Sequence, residues 1–298
     1  MKIYSYYDKA DGDFVVILGF FDCIHIGHVA LIEKGINIAE NLGITPAVFT
    51  YSNNPAEVLG KSFGQVLTYK ERLVKLEKHL INAVISCDFD MFYATRSGEE
   101  FLNELFENFS VKAVVCGYDY TYGKNASCNA EDLKRYCERK KIPCYVNDEV
   151  KFDGRRVSTT LIKEYLSVGN IKAANALLGE PYFVVGTVVR GRQNGRKIGF
   201  PTANVSFSKD KFQIRKGVYK TRVRAQGKEY KAITNYGAQP TFNGDTVVLE
   251  SHIKDFDFDI YGKEITVIFD DYIRDIFKFY DINNLKNQLK KDMECLDD

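Results

Sequence analysis

The chain has 298 residues, of which 45% are hydrophobic and 27% are charged, and its formal net charge is +1 at pH 7. This composition is typical of a soluble protein with one large or two medium domains, and it argues against a whole-protein role on nucleic acid or on a membrane surface. No segment approaches the roughly 20 apolar residues of a membrane span, and the seven scattered cysteines lack CxxC spacing, which favours reduced thiols in the cytoplasm.

Short apolar runs alternate with helical patterns through the first half of the chain. The predicted strands are residues 13–20, 45–51, 82–88, 111–117 and 142–148. The predicted helices are residues 27–43, 69–80, 97–109 and 129–141, the third of which begins at Ser97 or Gly98. Strands that alternate with helices of this length predict βαβ units and a doubly wound parallel sheet, which is an α/β domain.

The pattern changes after a helical stretch at residues 159–179. Five β-rich segments follow, several of them separated by turn signals, at residues 183–191, 217–225, 229–237, 246–253 and 264–273. They predict an antiparallel barrel or sandwich. A closing helix is predicted over residues 282–296, with Asp281 as its N-cap. We therefore expect one domain over residues 1–178 and a second over residues 183–298; no coiled-coil pattern indicates an oligomeric state.

Two of the four histidines stand three residues apart in GFFDCIHIGHVALI, residues 19–32. The H-x-G-H tetrad follows the first strand and begins the first helix, where free backbone N–H groups and the helix dipole attract an anion. Gly27 lets the backbone approach a phosphate, and the imidazoles of His25 and His28 can donate hydrogen bonds to it. A metal pair or chance are the alternatives, but zinc needs a third protein ligand, and His79 and His252 lie elsewhere. The pattern favours a phosphate clamp.

A second informative stretch is RGRQNGRKIGFPTANV, residues 190–205. Its glycines and basic residues are typical of a loop that binds nucleotide phosphates through backbone N–H groups. Thr202 and Asn204 alternate with Ala203, so on an extended chain both point to one side as hard oxygen ligands suited to Mg²⁺. The alternative is a surface loop that leads into a strand.

The first domain resembles the HxGH nucleotidyltransferases, in the arrangement found in bacterial bifunctional riboflavin kinase/FAD synthetases. GFFDCIHIGH is similar to the HxGH signature, VVCGYDYTYGKNAS to a G-x-D-F-x-F-G segment, and the stretch from Gly154 to a S-S-T-x-I-R segment. The resemblance implies adenylyl transfer from ATP to FMN, giving FAD and pyrophosphate, with catalytic His25 and His28. The ATP site that it implies consists of Gly19, Phe20, Asp22, Gly27, Gly117, Asp119, Ser158, Thr159, Thr160 and Lys163.

Three positions depart from that family pattern. Cys23 stands where glycine is usual, Asn54 where histidine is expected, and Lys163 in place of arginine. Two alternatives to a bifunctional enzyme therefore stay open. One is a riboflavin kinase with a weak or inactive adenylyltransferase domain, and the other is a non-catalytic flavin-binding regulator.

The second half resembles riboflavin kinases. GRQNGRKIGFPTAN matches their signature, and GVYKTRV, NYGAQPTF and the segment from Leu249 are similar to later family segments in the same order. The resemblance implies an antiparallel β-barrel that transfers the ATP γ-phosphate to the ribityl 5′-hydroxyl of riboflavin. Glu250 would be the general base. The other implied contacts are Mg²⁺ at Thr202 and Asn204, ATP phosphates at Gly191, Gly195, Arg196 and Gly199, and flavin at Asn54, Asn125 and Arg274.

Overall fold

A computed structural model describes residues 1–61, 64–190, 199–238 and 247–296. The chain divides into two compact units, Met1–Thr159 and Thr160–Asp298. Each unit has its own main sheet, whose strands are parallel in the first unit and antiparallel in the second. The predicted combination of a parallel α/β domain and an antiparallel β domain is confirmed.

The first unit is built on a six-stranded parallel sheet with the order β1-β4-β3-β2-β5-β8. Its sheet strands are β1 (Lys2–Ser5), β2 (Ala10–Leu18), β3 (Thr45–Tyr51), β4 (Ala83–Cys87), β5 (Phe109–Gly117) and β8 (Cys144–Asn147). Its helices are α1 (Ile26–Leu42), α2 (Pro55–Val58), α3 (Tyr69–Lys78), α4 (Gly98–Asn108) and α5 (Ala130–Lys140). Two small ribbons complete it, β6 (Thr121–Tyr122) with β7 (Cys128–Asn129) and β9 (Lys151–Phe152) with β10 (Arg155–Arg156).

Apolar cores cover both faces of this sheet, as a doubly wound fold requires. Along β2, Val16 and Leu18 pack into one core with residues of α4 and α5. Val15 and Ile17 point the other way and pack against residues of α1 and α3. Strands buried on both faces need apolar side chains at successive positions, which explains the uninterrupted run FVVIL.

Local sequence signals determine where the helices begin and end. Ser97 caps α4, its hydroxyl accepting from the backbone N–H of Glu100 while the Glu100 carboxylate accepts from the N–H of Ser97. Helix α1 ends at Gly43, whose φ of 67° lies in the left-handed region that glycine adopts without strain. The predicted start of α4 is therefore confirmed at Ser97.

The second unit contains a closed antiparallel barrel with the order β11-β12-β15-β14-β13-β16. The strands are β11 (Phe183–Val189), β12 (Ala203–Ser206), β13 (Gly217–Ala225), β14 (Lys228–Ala238), β15 (Val247–Ile253) and β16 (Glu264–Arg274). The helices are α6 (Thr159–Ser167), which begins at the boundary between the units, α7 (Ile171–Leu178) and the closing helix α8 (Ile282–Glu294). Asp281 caps α8, as predicted.

Buried hydroxyl groups form a hydrogen-bonded chain across three strands of the barrel. The hydroxyl of Thr234 lies 2.8 Å from that of Thr221 and 2.8 Å from that of Ser251, and all three residues are buried. Because each hydroxyl has a partner, the polar chain can occupy the interior without the cost of an unsatisfied group. Residues that alternate with these point outward, and they form the site described below.

Candidate functional site

The histidine pair lies at the N-terminus of α1, beyond the carboxyl end of β2. His25 is the N-cap, and its Nδ1 accepts a hydrogen bond of 3.1 Å from the backbone N–H of His28. The two imidazoles stack with centroids 3.7 Å apart and an angle of 6° between their planes. The 17-residue helix thus presents two imidazoles and its positive dipole end at the edge where parallel sheets bind ligands.

Both imidazoles are neutral at neutral pH. Burial lowers the pKa of His25 to about 4 and lowers the pKa of His28 well below its ordinary value. Because Nδ1 of His25 accepts a hydrogen bond, the single ring proton belongs on Nε2, which can donate to a ligand. Nδ1 of His28 is buried and has no hydrogen-bond partner among the described residues.

Two of the predicted ATP residues, Gly27 and Asp22, shape the loop that carries the two histidines. A Cβ on Gly27 would lie 3.1 Å from Cε1 of His25, which is closer than ordinary van der Waals contact, so a side chain there would press on the imidazole. Asp22 is buried, and its Oδ1 accepts a hydrogen bond of 2.7 Å from the backbone N–H of Val66. Of the other predicted glycines, Gly19 closely approaches the Phe21 ring and Gly117 the Asp119 carboxylate.

Arg72 was not singled out by the sequence analysis, yet its side chain is fully buried behind this loop. Its guanidinium donates to the carbonyl of Phe20 at 2.9 Å, to the hydroxyl of Thr50 at 2.7 Å and to the carbonyl of Tyr51 at 2.7 Å. It also lies 4.8 Å from the ring of Phe20, which is a predicted ATP residue. Arg72 therefore ties the loop after β2 to the end of β3.

No sequence signal singles out Arg72. Helix α3 buries Glu71, Arg72, Lys75 and Leu76, and three of these four residues are charged. Charged side chains that recur at i, i+3 and i+4 on a helix normally face solvent. A charged residue in this pattern is ordinarily expected at the surface, and the structure shows that Arg72 is buried.

Other predicted residues of the first unit are distributed around the histidines. The Thr159 hydroxyl lies 3.4 Å from the Cys23 thiol, and Ser158 precedes it. Asp119 forms an ion pair with Arg156 on the surface. Its negative charge also acts on His25, where it raises the pKa against the larger lowering effect of burial.

Four further predicted residues lie in a helix cap, in a turn and in α6. The buried side chain of Asn54 caps α2, its Oδ1 accepting from the backbone N–H of Ala56 at 3.1 Å. Asn125 is exposed in a turn with φ of 56°. Thr160 and Lys163 belong to the second unit, in the first two turns of α6, where Lys163 Nζ lies 5.7 Å from the Phe212 ring centroid.

A row of outward-facing residues crosses the barrel. Register pairs Asn204 with Glu250, Glu250 with Asn235, Asn235 with Val218, and Val218 with Arg274. Directly paired residues on antiparallel strands point to the same face. Predicted metal and base residues therefore share one face of the barrel, and the predicted flavin residue Arg274 ends the row beyond an irregularity in the pairing of β13 with β16.

Glu250 of this row is hydrogen-bonded to Thr202, which lies just before β12. The hydroxyl of Thr202 donates to Oε1 of Glu250 at 2.8 Å, and Glu250 is half-buried. Asn204, the strand partner of Glu250, is buried with 4% of its surface exposed. A hydroxyl, an amide and a carboxylate are thus gathered at one point, and their oxygen atoms suit a hard divalent ion.

Asn235 is a second residue that the sequence analysis missed. Its Oδ1 is buried and has no hydrogen-bond partner among the described residues, although it sits in the row next to Glu250. Asparagine is disfavoured inside strands, so its place within KAITNYG was the available signal. An unsatisfied buried oxygen in this position is a candidate acceptor for a substrate hydroxyl or amide.

Arg274 is held by the closing helix. Its guanidinium donates to both carboxylate oxygens of Asp292, at 2.9 and 2.6 Å, and the two side chains are only 15% and 2% exposed. The predicted flavin residue is thereby fixed in one orientation at the end of the row. Of the predicted phosphate loop, Gly191, Gly195 and Arg196 lie outside the described residues, and Gly199 has a φ of 86° with open space beside it.

A cavity of about 340 Å³ opens beside Thr202. It lies between the start of β12 and the segment 256–261, and its walls include Val188, Ile253, Phe256 and Tyr261. This volume and the mixture of aromatic, aliphatic and polar walls are typical of small-molecule sites. Among the described residues, no helix is both long enough and apolar enough to cross a membrane.

Comparisons with known proteins match the two halves of the chain to two different family models, in the order that the sequence resemblance implied. The riboflavin kinase family model matches residues 178–298, and the FAD synthetase model matches residues 7–161. A bifunctional riboflavin kinase/FMN adenylyltransferase from Listeria monocytogenes is 33% identical over 282 residues, which are 93% of this chain and 90% of that protein. The protein of that name from Bacillus subtilis is 30% identical over 286 residues, which are 94% of this chain and 90% of that protein.

A solved structure is similar over almost the whole chain. It is a crystal structure from Streptococcus pneumoniae described as a macrolide-efflux protein, with 31% sequence identity and a TM-score of 0.89 over 99% of both chains. That description differs from the names of the curated relatives. The two family models agree with the curated names, because one model matches each half of this chain.

Proposed function

Because this chain belongs to the bifunctional riboflavin kinase/FMN adenylyltransferase family, we propose that it phosphorylates riboflavin with ATP to FMN and then adenylylates FMN with ATP to FAD and pyrophosphate. The kinase reaction is assigned to residues 183–298 and the adenylyl transfer to residues 1–178. One observation carries the proposal: each of the two units has its own polar site and its own family match.

In the kinase, Glu250 accepts the proton of the ribityl 5′-hydroxyl as that oxygen attacks the γ-phosphorus of ATP, and ADP leaves as the bond to the β,γ-bridging oxygen breaks. The Thr202 hydroxyl orients the Glu250 carboxylate through their 2.8 Å hydrogen bond. Thr202 and Asn204 fit Mg²⁺ because both offer oxygen ligands beside that carboxylate. When bound, the ion would offset negative charge on the ATP phosphates. Arg274 and Asn235 face the flavin from the same row, and the cavity beside Thr202 takes the nucleotide.

In the adenylyltransferase, the FMN phosphate attacks the α-phosphorus of ATP, and pyrophosphate leaves. His25 and His28 donate hydrogen bonds from neutral rings to phosphate oxygens, and the N-terminus of α1 adds its backbone N–H groups. No covalent intermediate is needed, since positioning and charge stabilisation suffice for transfer between phosphates. Arg72 positions the loop and does not contact the substrate.

Both reactions use small molecules, and we assign them to the cytoplasm. The seven cysteines are all free thiols, which suits a reducing compartment. Neither proposed reaction involves nucleic acid or a membrane.

The test is to incubate the purified protein with riboflavin, ATP and Mg²⁺ and to separate the flavins by chromatography. FAD is the expected product, and a parallel incubation with FMN and ATP examines the second step alone. FMN without FAD would refute the adenylyl transfer and support a kinase with an inactive first domain. Unchanged riboflavin would refute the kinase assignment and favour a flavin-binding regulator.

A further inference from the structure

Three potential metal ligands meet at the start of α1. Cys23, His25 and His28 each offer one ligand atom, and these atoms all lie within 4.8 Å of one another. Cys23 and His25 are buried, and Nδ1 of His28 is buried with no hydrogen-bond partner among the described residues. One thiol and two imidazoles are the ligand types of Zn²⁺ and Co²⁺, not of Mg²⁺.

We infer that Cys23, His25 and His28 bind one Zn²⁺ or a similar borderline divalent ion, and that this ion competes with ATP for the two histidines. Binding of the ion stands on the three donors alone. The competition rests on the proposed function, because it requires that the same imidazoles contact ATP phosphates. The consequence is that adenylyl transfer becomes sensitive to zinc, while riboflavin phosphorylation, in the other unit, does not.

The geometry needs side-chain rotation and the loss of one hydrogen bond, because the unprotonated Nδ1 of His25 must leave the backbone N–H of His28 to bind the ion. Tetrahedral Zn²⁺ with ligand bonds of about 2.0–2.3 Å holds its donor atoms about 3.3–3.8 Å apart, so the donors must close by roughly 1 Å. Because the two imidazole planes are nearly parallel, their nitrogen lone pairs do not converge on one point. One of the two stacked rings must therefore turn toward the ion. Gly27, which has no Cβ, leaves room beside the His25 ring.

The charges and protons balance without a redox step. Zn²⁺ binds the Cys23 thiolate, whose proton passes to solvent, and the two imidazoles bind as neutral rings. The Thr159 hydroxyl, 3.4 Å from the sulfur, can donate a hydrogen bond to that thiolate and hold it in place. A three-residue site leaves the fourth position open to water or to a ligand oxygen.

The third donor is a feature of this chain. Cys23 stands where the resembled family pattern has glycine, and a glycine supplies no ligand atom. A histidine pair alone gives Zn²⁺ two protein ligands, which is fewer than stable protein sites use. Substitution of Cys23 therefore separates metal binding from the histidine pair.

The binding test uses Co²⁺, because a cysteine thiolate gives bound Co²⁺ a near-ultraviolet charge-transfer absorption that histidine and carboxylate ligands do not. The full-length protein is titrated with Co²⁺, and Zn²⁺ is then added to displace it. The variants are Cys23→Ser, which keeps size and polarity, Cys23→Ala, and the matched control Cys295→Ser. We expect the absorption at one equivalent in the parent and in Cys295→Ser. Both Cys23 variants should lack it and bind Zn²⁺ at least about 100-fold more weakly.

The competition test measures FMN formation and FAD formation separately in the same parent protein, with and without added Zn²⁺. We expect Zn²⁺ to inhibit FAD formation and to spare FMN formation, and a Cys23 variant to need about 100-fold more Zn²⁺ for the same fractional inhibition. If no FAD forms without Zn²⁺, the proposed function fails, and the Co²⁺ titration still tests the metal site. Absence of the charge-transfer absorption in the parent, or its retention in Cys23→Ser, would overturn the inference.

Discussion

The two units assemble their polar sites over different distances along the chain. In the first unit, Cys23, His25 and His28 belong to one short segment, and the start of one helix brings them together. In the barrel, Asn204, Glu250 and Asn235 come from three strands, and only antiparallel register aligns them. The first site depends on local backbone geometry, whereas the second depends on closure of a sheet.

The two sites also differ in the residues that support them. The parallel sheet is packed by apolar residues on both faces, and its site is supported by the buried cation Arg72. The barrel has a chain of hydroxyl groups inside and a buried ion pair between β16 and α8. Substitutions in one unit should therefore act on one reaction, which the first two of the following experiments examine. The other two measure how much the residues behind the barrel site contribute to stability.

The largest effect is expected for Glu250→Gln. Glutamine can still accept the hydrogen bond from Thr202 but cannot take the substrate proton, so FMN formation should fall by about 10²–10⁴-fold. FAD formation from added FMN should be unchanged. The matched control is Glu229→Gln, which removes a surface partner of Arg222 and Arg224 and should leave FMN formation at the parental rate. A parental rate in Glu250→Gln would remove Glu250 from the chemistry.

The reciprocal experiment is His28→Ala. Loss of one hydrogen-bond donor to the phosphates should lower FAD formation by about 10²–10³-fold, while FMN formation stays near the parental rate. His79→Ala serves as the control, because it removes an imidazole at the C-cap of α3, outside the H-x-G-H tetrad. Equal loss of both activities in a folded protein would contradict the assignment of the reactions to separate units.

Arg274→Gln should weaken the barrel. The change leaves the Asp292 carboxylate buried, 2% exposed, without its cation, and the expected cost is about 3 kcal/mol in the free energy of unfolding, equivalent to a factor of roughly 10². Urea unfolding followed by circular dichroism measures it. Arg222→Gln, whose partner Asp270 is 26% exposed, should cost less than about 1 kcal/mol. Equal costs would show that the closing helix does not depend on the ion pair.

The smallest effect is expected for Thr221→Val inside the barrel. Valine keeps the shape of threonine but removes one end of the hydroxyl chain, and Thr234 keeps Ser251 as its partner, so the cost should be about 1 kcal/mol. Ser110→Ala removes a hydroxyl that contacts Asp13 on the surface of the first unit and should cost less. A larger loss for Ser110→Ala would reverse the proposed ranking of buried and exposed hydroxyls.

Most of the fold could be predicted because its signals are local. The periodicity of residues 27–43 and the Ser97 cap identified α1 and α4 nearly to the residue. β1 was missed, since Lys2–Ser5 is a short and mostly exposed edge strand without a clear pattern. Closure of the barrel did not follow from alternation, because a sandwich has the same alternation. It was the family resemblance that favoured the barrel.

A site residue could be predicted from the sequence where it belongs to a motif of consecutive residues. The pair His25 and His28 stood out in one tetrad, but Arg72 supports it from a helix some fifty residues later. Asn235 joins Glu250 only through strand register, which the sequence does not display. Cys23 joins the two histidines in a cluster of potential metal ligands, but it lacks the CxxC spacing from which a zinc cysteine is ordinarily predicted.

Strand order in the barrel has a consequence for synthesis on the ribosome. β11 pairs with β16, and residues 190–263 must be translated between them. The 159 residues of the first unit are complete before any barrel strand is made, and domains generally fold in the order in which they emerge. Until β16 leaves the exit tunnel, one edge of β11 has no partner and is open to pairing with another nascent chain. Synthesis of residues 190–274 is therefore the interval in which this edge of β11 stays open.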